Sequence, residues 1–436
     1  MVIEQNRENP VQKLFYILLA SPVLFLLVNR YPYFLILSML VVIFLSLIFF
    51  LSKRKITSYH YPLLLLLSLI YAYFIISYFF SGQYISNFFS YNFLRTDGNF
   101  FFSYILFFAL AVPFFDYRKL ADYYFKITFF VFSIFALIGI TEFLLGYSAL
   151  MIKEDSTVGN MFMGLNFAHN ATGSIYALVS IFALIFFLEE KAKKIKILYS
   201  AVFALCAAAL FLTKSRGSYL AFMVAVVFVL GLHFKSIKKF FISLGSMAAA
   251  SVALLFITDS IDRFINIFTT EGTAAIRLGL WERAWSLFTR SPIFGAGFGR
   301  YNDIQSLLTD NLAGREGFLA FFLHPRFLYD FGHAHNSYLQ LLAETGIIGL
   351  GLLLSFWGLS FYIIFRSFRA SRDNFSRKAF LAGLSTIVVL LALSFTEHYL
   401  SATTIMVGSS MIVSICIGLG WQQNSVKKDL KKGINA

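Results

Sequence analysis

Two histidines separated by a single residue are the clearest candidates for proton transfer in this sequence. They lie in the string His333-Ala334-His335-Asn336, which ends a long polar stretch and precedes a long apolar one. Histidine is the side chain best suited to accept a proton near neutral pH, so His335 could act as a general base toward a hydroxyl group. Asn336 or Ser337 is placed to cap the helix that the apolar run predicts. Ordinary hydrogen bonding is the alternative role for either histidine.

The same two histidines form an HxH pair, which could supply two ligands to a metal ion. The sequence around them offers no further cluster of ligands and no D-x-D motif. We therefore predict neither a metal site nor a cofactor. A reaction that releases a phosphate group would then need fixed cationic side chains in place of a divalent cation.

Arginine supplies such cations in an unusual concentration. The stretch from Asp259 to Asn336 contains seven arginines and no lysine. They are Arg263, Arg277, Arg283, Arg290, Arg300, Arg315 and Arg326. The planar guanidinium group binds phosphate or carboxylate through paired hydrogen bonds. The stretch is therefore predicted to bind an anion, and a solvated loop that happens to be rich in arginine is the alternative.

Other polar residues border apolar stretches and could join this group. Arg216 lies in the short turn Thr213-Lys214-Ser215-Arg216-Gly217, where so short a turn would hold it in place. His169-Asn170, Glu397 and His398 lie at the ends of other apolar runs. Each of these last residues could take part in function or could only anchor or cap a helix.

Helices in a membrane must position these residues, because the chain is too apolar for a soluble protein. Of its 436 residues, 59% are hydrophobic and 13% are charged, whereas soluble chains are about half apolar and roughly a quarter charged. The two cysteines, Cys206 and Cys416, lie inside apolar stretches and offer neither a disulfide framework nor a CxxC site. The composition predicts an all-α polytopic membrane protein.

About twelve apolar stretches run from Leu14 to Gly420, each near the ~20 residues that cross a bilayer. With a cytoplasmic N-terminus, every inner connection carries lysine or arginine, as the positive-inside rule expects. These basic groups are at residues 53–55, 118–119, 191–196, 235–239, 366–378 and 427–432. They account for much of the net charge of +14 without a nucleic-acid partner. In this orientation Arg216 and the 259–336 segment lie on the outer side.

The chain is thus predicted to have three parts. Residues 1–258 form transmembrane helices 1 to 9, residues 259–336 form one large outer loop, and residues 337–436 form helices 10 to 12 and a basic cytoplasmic tail. Within the loop an amphipathic helix is expected to lie at the membrane interface, near the level of lipid phosphates. Its apolar positions recur at helical spacing as Leu278, Trp281, Trp285 and Phe288, before Ser291-Pro292 ends it.

A glycine-rich string, Gly295-Ala296-Gly297-Phe298-Gly299, follows this helix. It resembles a phosphate-cradling loop, but it follows no predicted strand and lies on the side where nucleotides are not available. We interpret it as a flexible turn.

The residues around His335 also resemble a known family. His335-Asn336, nine residues, Gly346, two residues and Gly349 reproduce the H-N-x9-G-x-x-G pattern of O-antigen ligases. The turn Ser215-Arg216-Gly217 and the string from Arg277 to Gly297 are similar to the two arginine regions of that family, in the expected order. The resemblance covers about residues 212–352. The same superfamily includes O-antigen polymerases and protein O-oligosaccharyltransferases.

This resemblance implies a metal-independent glycosyltransferase on the periplasmic face of a bacterial inner membrane. It would move a polysaccharide from undecaprenyl diphosphate to a sugar hydroxyl of lipid A-core, and its partners would be that donor, that acceptor and membrane lipids. His335 would be the general base, and Arg216 and Arg277 would hold the diphosphate as leaving group. Arg283 is the alternative to Arg277. The residues expected to bind substrate are Arg283, Arg300, His333 and Asn336.

Two other functions stay open from the sequence. An O-antigen polymerase would use the same donor, but such enzymes often depend on two substantial outer loops, and the second sizeable loop here, residues 146–170, carries only one cation, Lys153. A carrier would place ionisable residues at mid-membrane. Only Glu142 and Glu344 fit that description, and for Glu344 a structural pairing with a neighbouring polar group is the alternative. The ligase interpretation is therefore favoured.

Overall fold

The structure is a computed structural model that describes residues 10–26, 32–53, 56, 58, 60–82, 88, 98–112, 116–155, 159–166, 168–258, 260–261, 273–301 and 333–434. Thirteen α-helices make up most of these residues. They are α1 Pro10–Ala20, α2 Pro32–Lys53, α3 Tyr61–Phe80, α4 Asn99–Ala109, α5 Tyr117–Leu144, α6 His169–Glu189, α7 Lys193–Leu212, α8 Arg216–His233, α9 Ile237–Ile257, α10 Thr273–Arg290, α11 Ser337–Ala370, α12 Asn374–Leu393 and α13 Thr403–Ile434. A small hairpin pairs β1 Ile152–Asp155 with β2 Gly159–Phe162 in antiparallel fashion.

The prediction of an all-α polytopic membrane protein is confirmed. In the described part of the chain, nine helices are long and apolar enough to cross a membrane. Three shorter apolar stretches lie at α1, α2 and α4, and their ranges are Pro10–Phe25, Leu35–Leu51 and Asn99–Ala109. They bring the number of apolar helices to the predicted figure of about twelve. Burial differs strongly among them: α6 is buried continuously from Thr172 to Phe186, whereas Leu255 is the one buried residue of α9. Within the described residues, most apolar side chains of α9 therefore lie on the surface of the bundle.

The buried helix α6 organises the bundle, because it packs against α5, α7, α8, α12 and α13. The helices α6, α8 and α11 all begin at one end of the bundle, which we call the His335 end. The helices α6 and α8 finish at the opposite end, where α12 begins, and we call it the Lys378 end. Polar residues that lie far apart in sequence are brought together at both ends.

The long helix α11 is kinked at Gly346, where φ is 62° and ψ is −167°. A positive φ is readily adopted by glycine and costs other residues energy. The chain after α10 docks into this kink, and the backbone N–H groups of Ala296 and Gly297 donate to the carbonyl oxygens of Ala343 and Glu344, at 2.8 Å each. The glycine-rich string is indeed a turn, but the expectation that it is flexible is wrong because α11 holds it. Its amides are used inside the protein.

The docking of the two backbones also explains why glycine stands at the kink. A Cβ atom at Gly346 would lie 2.2 Å from the carbonyl oxygen of Ile293. A Cβ atom at Gly295 would lie 2.3 Å from the backbone of Glu344. Both contacts are too short for any side chain, so the H-N-x9-G pattern includes a packing requirement as well as chemistry.

The two carboxylates near the membrane interior have structural partners. Glu344 Oε1 accepts hydrogen bonds from the Tyr301 N–H at 3.1 Å and from Gln340 Nε2 at 3.2 Å, which is the structural pairing considered from the sequence. Glu142 accepts from four consecutive backbone N–H groups, those of residues 149–152. It thereby anchors the loop that leads into the β hairpin to the end of α5. Both carboxylates thus hold neighbouring parts of the backbone in place.

Candidate active site

The carboxylate of Glu397, in the connection between α12 and α13, is the centre of a polar group at the His335 end. Its Oε1 atom accepts from Arg277 Nη2 at 3.1 Å and from Asn170 Nδ2 at 3.0 Å, and its Oε2 atom lies 2.7 Å from His335 Nδ1. Burial raises the pKa of Glu397, but the hydrogen bond from His335 and the nearby positive charges outweigh burial and lower it. Glu397 is therefore a carboxylate at neutral pH.

Glu397 determines which nitrogen of His335 can accept a proton. An ionised carboxylate only accepts hydrogen bonds, so His335 Nδ1 carries the proton and Nε2 is the basic atom. The backbone also constrains this residue, because His335 has a φ of 47°, which is uncommon for a residue other than glycine. Asn336 follows and caps α11: its Oδ1 atom accepts from the N–H groups of Tyr338 and Leu339 at 3.0 and 3.1 Å. Of the two caps that the sequence offered, Asn336 and Ser337, the structure has Asn336.

His333 lies against His335, with the ring centroids 4.2 Å apart. Its Nδ1 atom accepts from the backbone N–H of His335 at 3.2 Å, so in the neutral ring Nε2 carries the proton. Burial is the main cause that lowers the pKa of His333 to about 4, and the neighbouring His335 adds to it. His398, whose ring centroid is 6.1 Å from that of His333, has a pKa lowered to about 3, mainly by burial. Both rings are neutral at physiological pH.

Arg216 reaches the same end of the bundle as the first residue of α8. The preceding Ser215 donates its Oγ–H to Asn170 Oδ1 at 2.9 Å, which orients the Asn170 amide so that Nδ2 faces Glu397. Lys214 has a φ of 52° and, with His335, is one of two residues other than glycine that have a positive φ in the described part of the chain. Each costs roughly 1–2 kcal/mol of backbone strain. Such strain is often found at functional sites.

Arg283 and Arg300, both predicted to bind substrate, have partners within the protein. The Nη2 atom of Arg283 donates to the carbonyl oxygen of Tyr301, and the guanidinium carbon lies 4.6 Å from the centre of the Tyr301 ring. Arg300 Nη1 donates to the carbonyl oxygen of Ser81, at the end of α3. Arg277, by contrast, contacts the carboxylate that holds His335. The geometry therefore favours Arg277 over Arg283 as the second arginine beside His335.

Glu397 and Asn170 are the members of this group that sequence reasoning considered but left out of the predicted site. Each borders an apolar stretch, which is also where a simple helix cap would lie. Their meeting depends on α6 packing against α12, which no local pattern reports. The available signal was the carboxylate of Glu397 in a short connection, on the side predicted to carry the histidines.

Three comparisons with known proteins bear on this geometry. A family model described as O-antigen ligase matches residues 201–354. A protein of Rickettsia felis whose name contains the words polysaccharide ligase is 32% identical over 151 residues, which are 33% of this chain and 34% of that protein. A Rickettsia typhi protein with the same words in its name is 31% identical over 188 residues, 41% of this chain and 43% of that protein. Residues 201–354 of this chain are thus similar to the O-antigen ligase family.

The part of the chain that matches the O-antigen ligase model contains Arg216, Arg277 and His335. The family resemblance seen in the sequence is thereby confirmed. The chain spans less than half the length of the two rickettsial relatives. Glu397 and Asn170 fall outside residues 201–354, so only the structure connects them to the residues of the family motif.

A metal ion could be held by three of these side chains. His333, His335 and Glu397 each offer a potential ligand atom, and these atoms lie within 4.8 Å of one another. Two features oppose a cation there. The Nδ1 atoms of both histidines already take part in hydrogen bonds, and the guanidinium group of Arg277 already neutralises the carboxylate. The arrangement fits a base held by a carboxylate better than a metal centre, and the lack of a metal requirement stays a prediction.

Proposed function

We propose that this protein is a glycan transferase of the O-antigen ligase type. It would move a polysaccharide from undecaprenyl diphosphate to a sugar hydroxyl of lipid A-core, with the His335 end of the bundle facing the periplasm. The observation that carries the proposal is the Glu397 carboxylate, which binds His335 through one oxygen and Arg277 through the other. A base and a phosphate-binding cation are the two groups that this displacement needs.

His335 serves as the general base in this reaction. Its Nε2 atom takes the proton of the acceptor hydroxyl as the hydroxyl oxygen bonds to the anomeric carbon of the donor sugar. The bond from that carbon to the diphosphate oxygen breaks, and its electron pair leaves with the diphosphate. Glu397 holds the imidazole ring in position and stabilises the positive charge that it acquires. The products are the glycosylated acceptor and undecaprenyl diphosphate.

The leaving group needs positive charge, which Arg277 and Arg216 supply without a metal ion. The helices α6, α8 and α11 all begin at this end of the bundle, and the start of a helix carries about half a positive charge from the aligned peptide dipoles. Helix N-termini bind phosphate groups for this reason. Arginines and helix ends together favour a diphosphate here.

The surroundings of Arg277 suit a donor that stays in the membrane. On α10, Leu278 and Trp285 expose their side chains, and Ile293 and Phe294 in the following turn do the same. Exposed apolar groups beside an arginine-bearing helix are typical of a segment that lies in the membrane interface. A lipid-linked diphosphate at head-group depth would then be within reach of Arg277, whereas a soluble nucleotide sugar has no need of such a surface.

A polymerase of the same superfamily is the second candidate. The observation in its favour is that residues 149–152 of the second large loop are held in place by Glu142, so this loop is organised. The reaction at the donor would be the same, and only the acceptor would differ. The product therefore decides between the two functions.

A transfer assay tests the proposal. Purified protein would receive an undecaprenyl-diphosphate-linked glycan, lipid A-core and EDTA, and the products would be separated by mass. We expect glycan on lipid A-core from the wild type, unaffected by EDTA, and none from His335→Ala. Longer lipid-linked chains in place of that product would indicate a polymerase. No transfer to either acceptor, with both substrates shown to be competent, would contradict the proposal.

A further inference from the structure

One oxygen of Glu397 is shared between two donors. Its Oε1 atom accepts from both Arg277 and Asn170, while Oε2 is bonded to His335. The negative charge of the carboxylate is therefore divided between the base and a cation. The same ion pair occupies the guanidinium group that a diphosphate would need. In this state Arg277 spends its charge on Glu397, and Glu397 gives only part of its charge to His335.

A diphosphate is a strong competitor for Arg277. Guanidinium binds phosphate oxygens through paired, charge-assisted hydrogen bonds, and a diphosphate presents more charge than one carboxylate. The Arg277 side chain is 30% exposed, so it can be approached from solution or from the membrane surface. Exchange of Glu397 for diphosphate would cost Arg277 one ion pair and return a stronger one.

Glu397 would keep its position after such an exchange. Asn170 Nδ2 still donates to Oε1, and the amide of Asn170 is itself fixed by Ser215. The backbone of Glu397 is held separately, because Ser337 Oγ donates to its carbonyl oxygen at 3.1 Å. The carboxylate would thus lose a charged partner and retain its neutral one, and the bond to His335 would stay in place.

We propose that the diphosphate of the donor displaces Glu397 from Arg277, and that the released charge of Glu397 then acts on His335 and makes it a stronger base. This inference rests on the proposed function and adds an order of events to it, in which the donor binds before the base is activated. The base reaches full strength only when the leaving group is bound. Deprotonation of the acceptor hydroxyl is thereby coupled to the presence of the donor.

The other ionisable groups of the cluster leave His335 as the group to observe. His333 and His398, with pKa values lowered to about 4 and about 3, are neutral near pH 7. Burial raises the pKa of Tyr399, so it stays protonated. Arginine keeps its charge throughout this range. These neighbours keep their charge state near pH 7, so the readout is taken at His335 itself.

The test is site-resolved chemical modification of the full-length protein in detergent. Diethyl pyrocarbonate reacts with unprotonated imidazole, and mass spectrometry would quantify modification of His335 across the pH range, with and without undecaprenyl diphosphate. The readout is the pH of half-maximal modification, which does not depend on partial shielding by the ligand. We expect undecaprenyl diphosphate to raise this midpoint by about one pH unit in the wild type, the size of shift that an added nearby charge produces.

Glu397→Gln is the matched variant, because glutamine keeps the shape of the side chain but has no charge to release. We expect undecaprenyl diphosphate to shift its midpoint by less than half as much. Equal shifts in the two proteins would overturn the exchange, since the diphosphate would then act on His335 directly. If Glu397→Gln does not fold, Arg277→Gln takes its place at a concentration of undecaprenyl diphosphate that saturates its tryptophan fluorescence. Its Glu397 has no cation to lose, so the same reduced shift is expected.

The outcome separates the exchange from the proposed function. Transfer activity together with equal midpoint shifts would leave the ligase function standing and reject the exchange. Fluorescence of Trp281 and Trp285, on the same helix as Arg277, would report whether undecaprenyl diphosphate binds. No binding by the wild type would overturn the exchange and the proposed donor together.

Discussion

Two glutamates at opposite ends of the bundle have nearly the same partners. At the His335 end, Glu397 lies 2.7 Å from a histidine Nδ1 and 3.1 Å from an arginine Nη2. At the Lys378 end, Glu189 lies 2.8 Å from His233 Nδ1 and 3.2 Å from Arg377 Nε. The two carboxylates are similarly buried, with side chains 12% and 11% exposed. A histidine, a glutamate and an arginine in contact therefore do not by themselves identify a site.

The backbones that carry the two groups are different. Glu189, His233 and Arg377 all belong to regular helices, at the ends of α6 and α8 and in the first turn of α12. Their contacts tie three helix ends together. His335, by contrast, has a positive φ, and Glu397 lies in a connection between helices. A strained backbone that presents a histidine is a feature of sites that do chemistry rather than of ties between helices.

The helix ends around the two groups also differ. Helices α6 and α8 begin at the His335 end and finish at the Lys378 end, roughly 30 Å away for a helix the length of α6. Near Glu397, α6, α8 and α11 begin and α12 finishes, whereas near Glu189, α6 and α8 finish and α12 begins. Three helix N-termini therefore lie at the His335 end, where each carries partial positive charge. The comparison teaches that the backbone around a group distinguishes two sets of the same three side chains.

The largest difference is expected for the two histidines. His335→Ala should lower transfer by about 10²–10⁴-fold, the usual contribution of a general base. His233→Ala removes the contact with Glu189 at the Lys378 end. The molecules of this variant that fold should keep most of the wild-type transfer rate. Initial rates per folded protein, with folding checked by thermal unfolding, make the comparison. Similar losses in the two variants would mean that both groups serve only to hold the bundle together.

The next largest difference in transfer rate is expected between substitutions of Arg277 and Arg377. Arg277→Lys keeps the charge but loses the planar fork that binds a diphosphate, so transfer should fall by about 10²-fold, the scale for loss of one donor to a developing anion. Arg377→Lys should change the rate little, because a lysine can still pair with Glu189. The measurement is kcat and KM for the lipid-linked donor in both variants. An unchanged rate in Arg277→Lys would argue against this arginine as the diphosphate ligand.

Two glycines of α11 offer a test of the kink that positions the site. Gly346→Ala should destabilise the protein by about 1–3 kcal/mol, because the alanine would need a positive φ and its Cβ atom would meet the Ile293 carbonyl. Gly351→Ala, five residues further along the same helix, meets nothing within 4 Å and should be neutral or slightly stabilising. Unfolding of both variants in detergent would show the difference. Equal stabilities would contradict the docking of the turn into α11.

A smaller effect is expected in the dependence of stability on pH. The pKa of His333 is lowered to about 4 in the folded protein, whereas an unfolded histidine has a pKa near ~6.5. The unfolded chain therefore binds the extra proton between these values, and stability falls as the pH is lowered from about 6.5 to about 4. His333→Gln should reduce this fall in melting temperature, and His233→Gln serves as the comparison from the other end. A steeper fall in His333→Gln would contradict a buried, neutral His333.

Much of this architecture could be predicted from the sequence, for reasons that are local. A span of about 20 apolar residues is visible in the chain itself, and so is a cap such as Asn336 before α11. The position of His335 beside Arg277 followed from a family resemblance, and the structure puts the two on one carboxylate. These features depend on neighbours in sequence or on a known pattern.

The partners of His335 could not be predicted, because they depend on packing between distant helices. Glu397 is 62 residues from His335 in sequence and Asn170 is 227 residues from Glu397. Arg283 and Arg277 also looked equivalent on one predicted helix. Which of the two faces the site is decided by the packing of α10 on α11, and this packing buries Arg283 against Tyr301.

The most direct test of this account compares the two glutamates themselves. Glu397→Gln and Glu189→Gln would be assayed side by side for transfer from an undecaprenyl-diphosphate-linked glycan, with rates normalised to folded protein. We predict that Glu397→Gln loses about 10²-fold or more of the rate, because the base loses its charged partner, and that Glu189→Gln stays close to the wild type. Equal rates in the two variants would contradict the central claim that the Glu397 group, and not its counterpart at the Lys378 end, performs the chemistry.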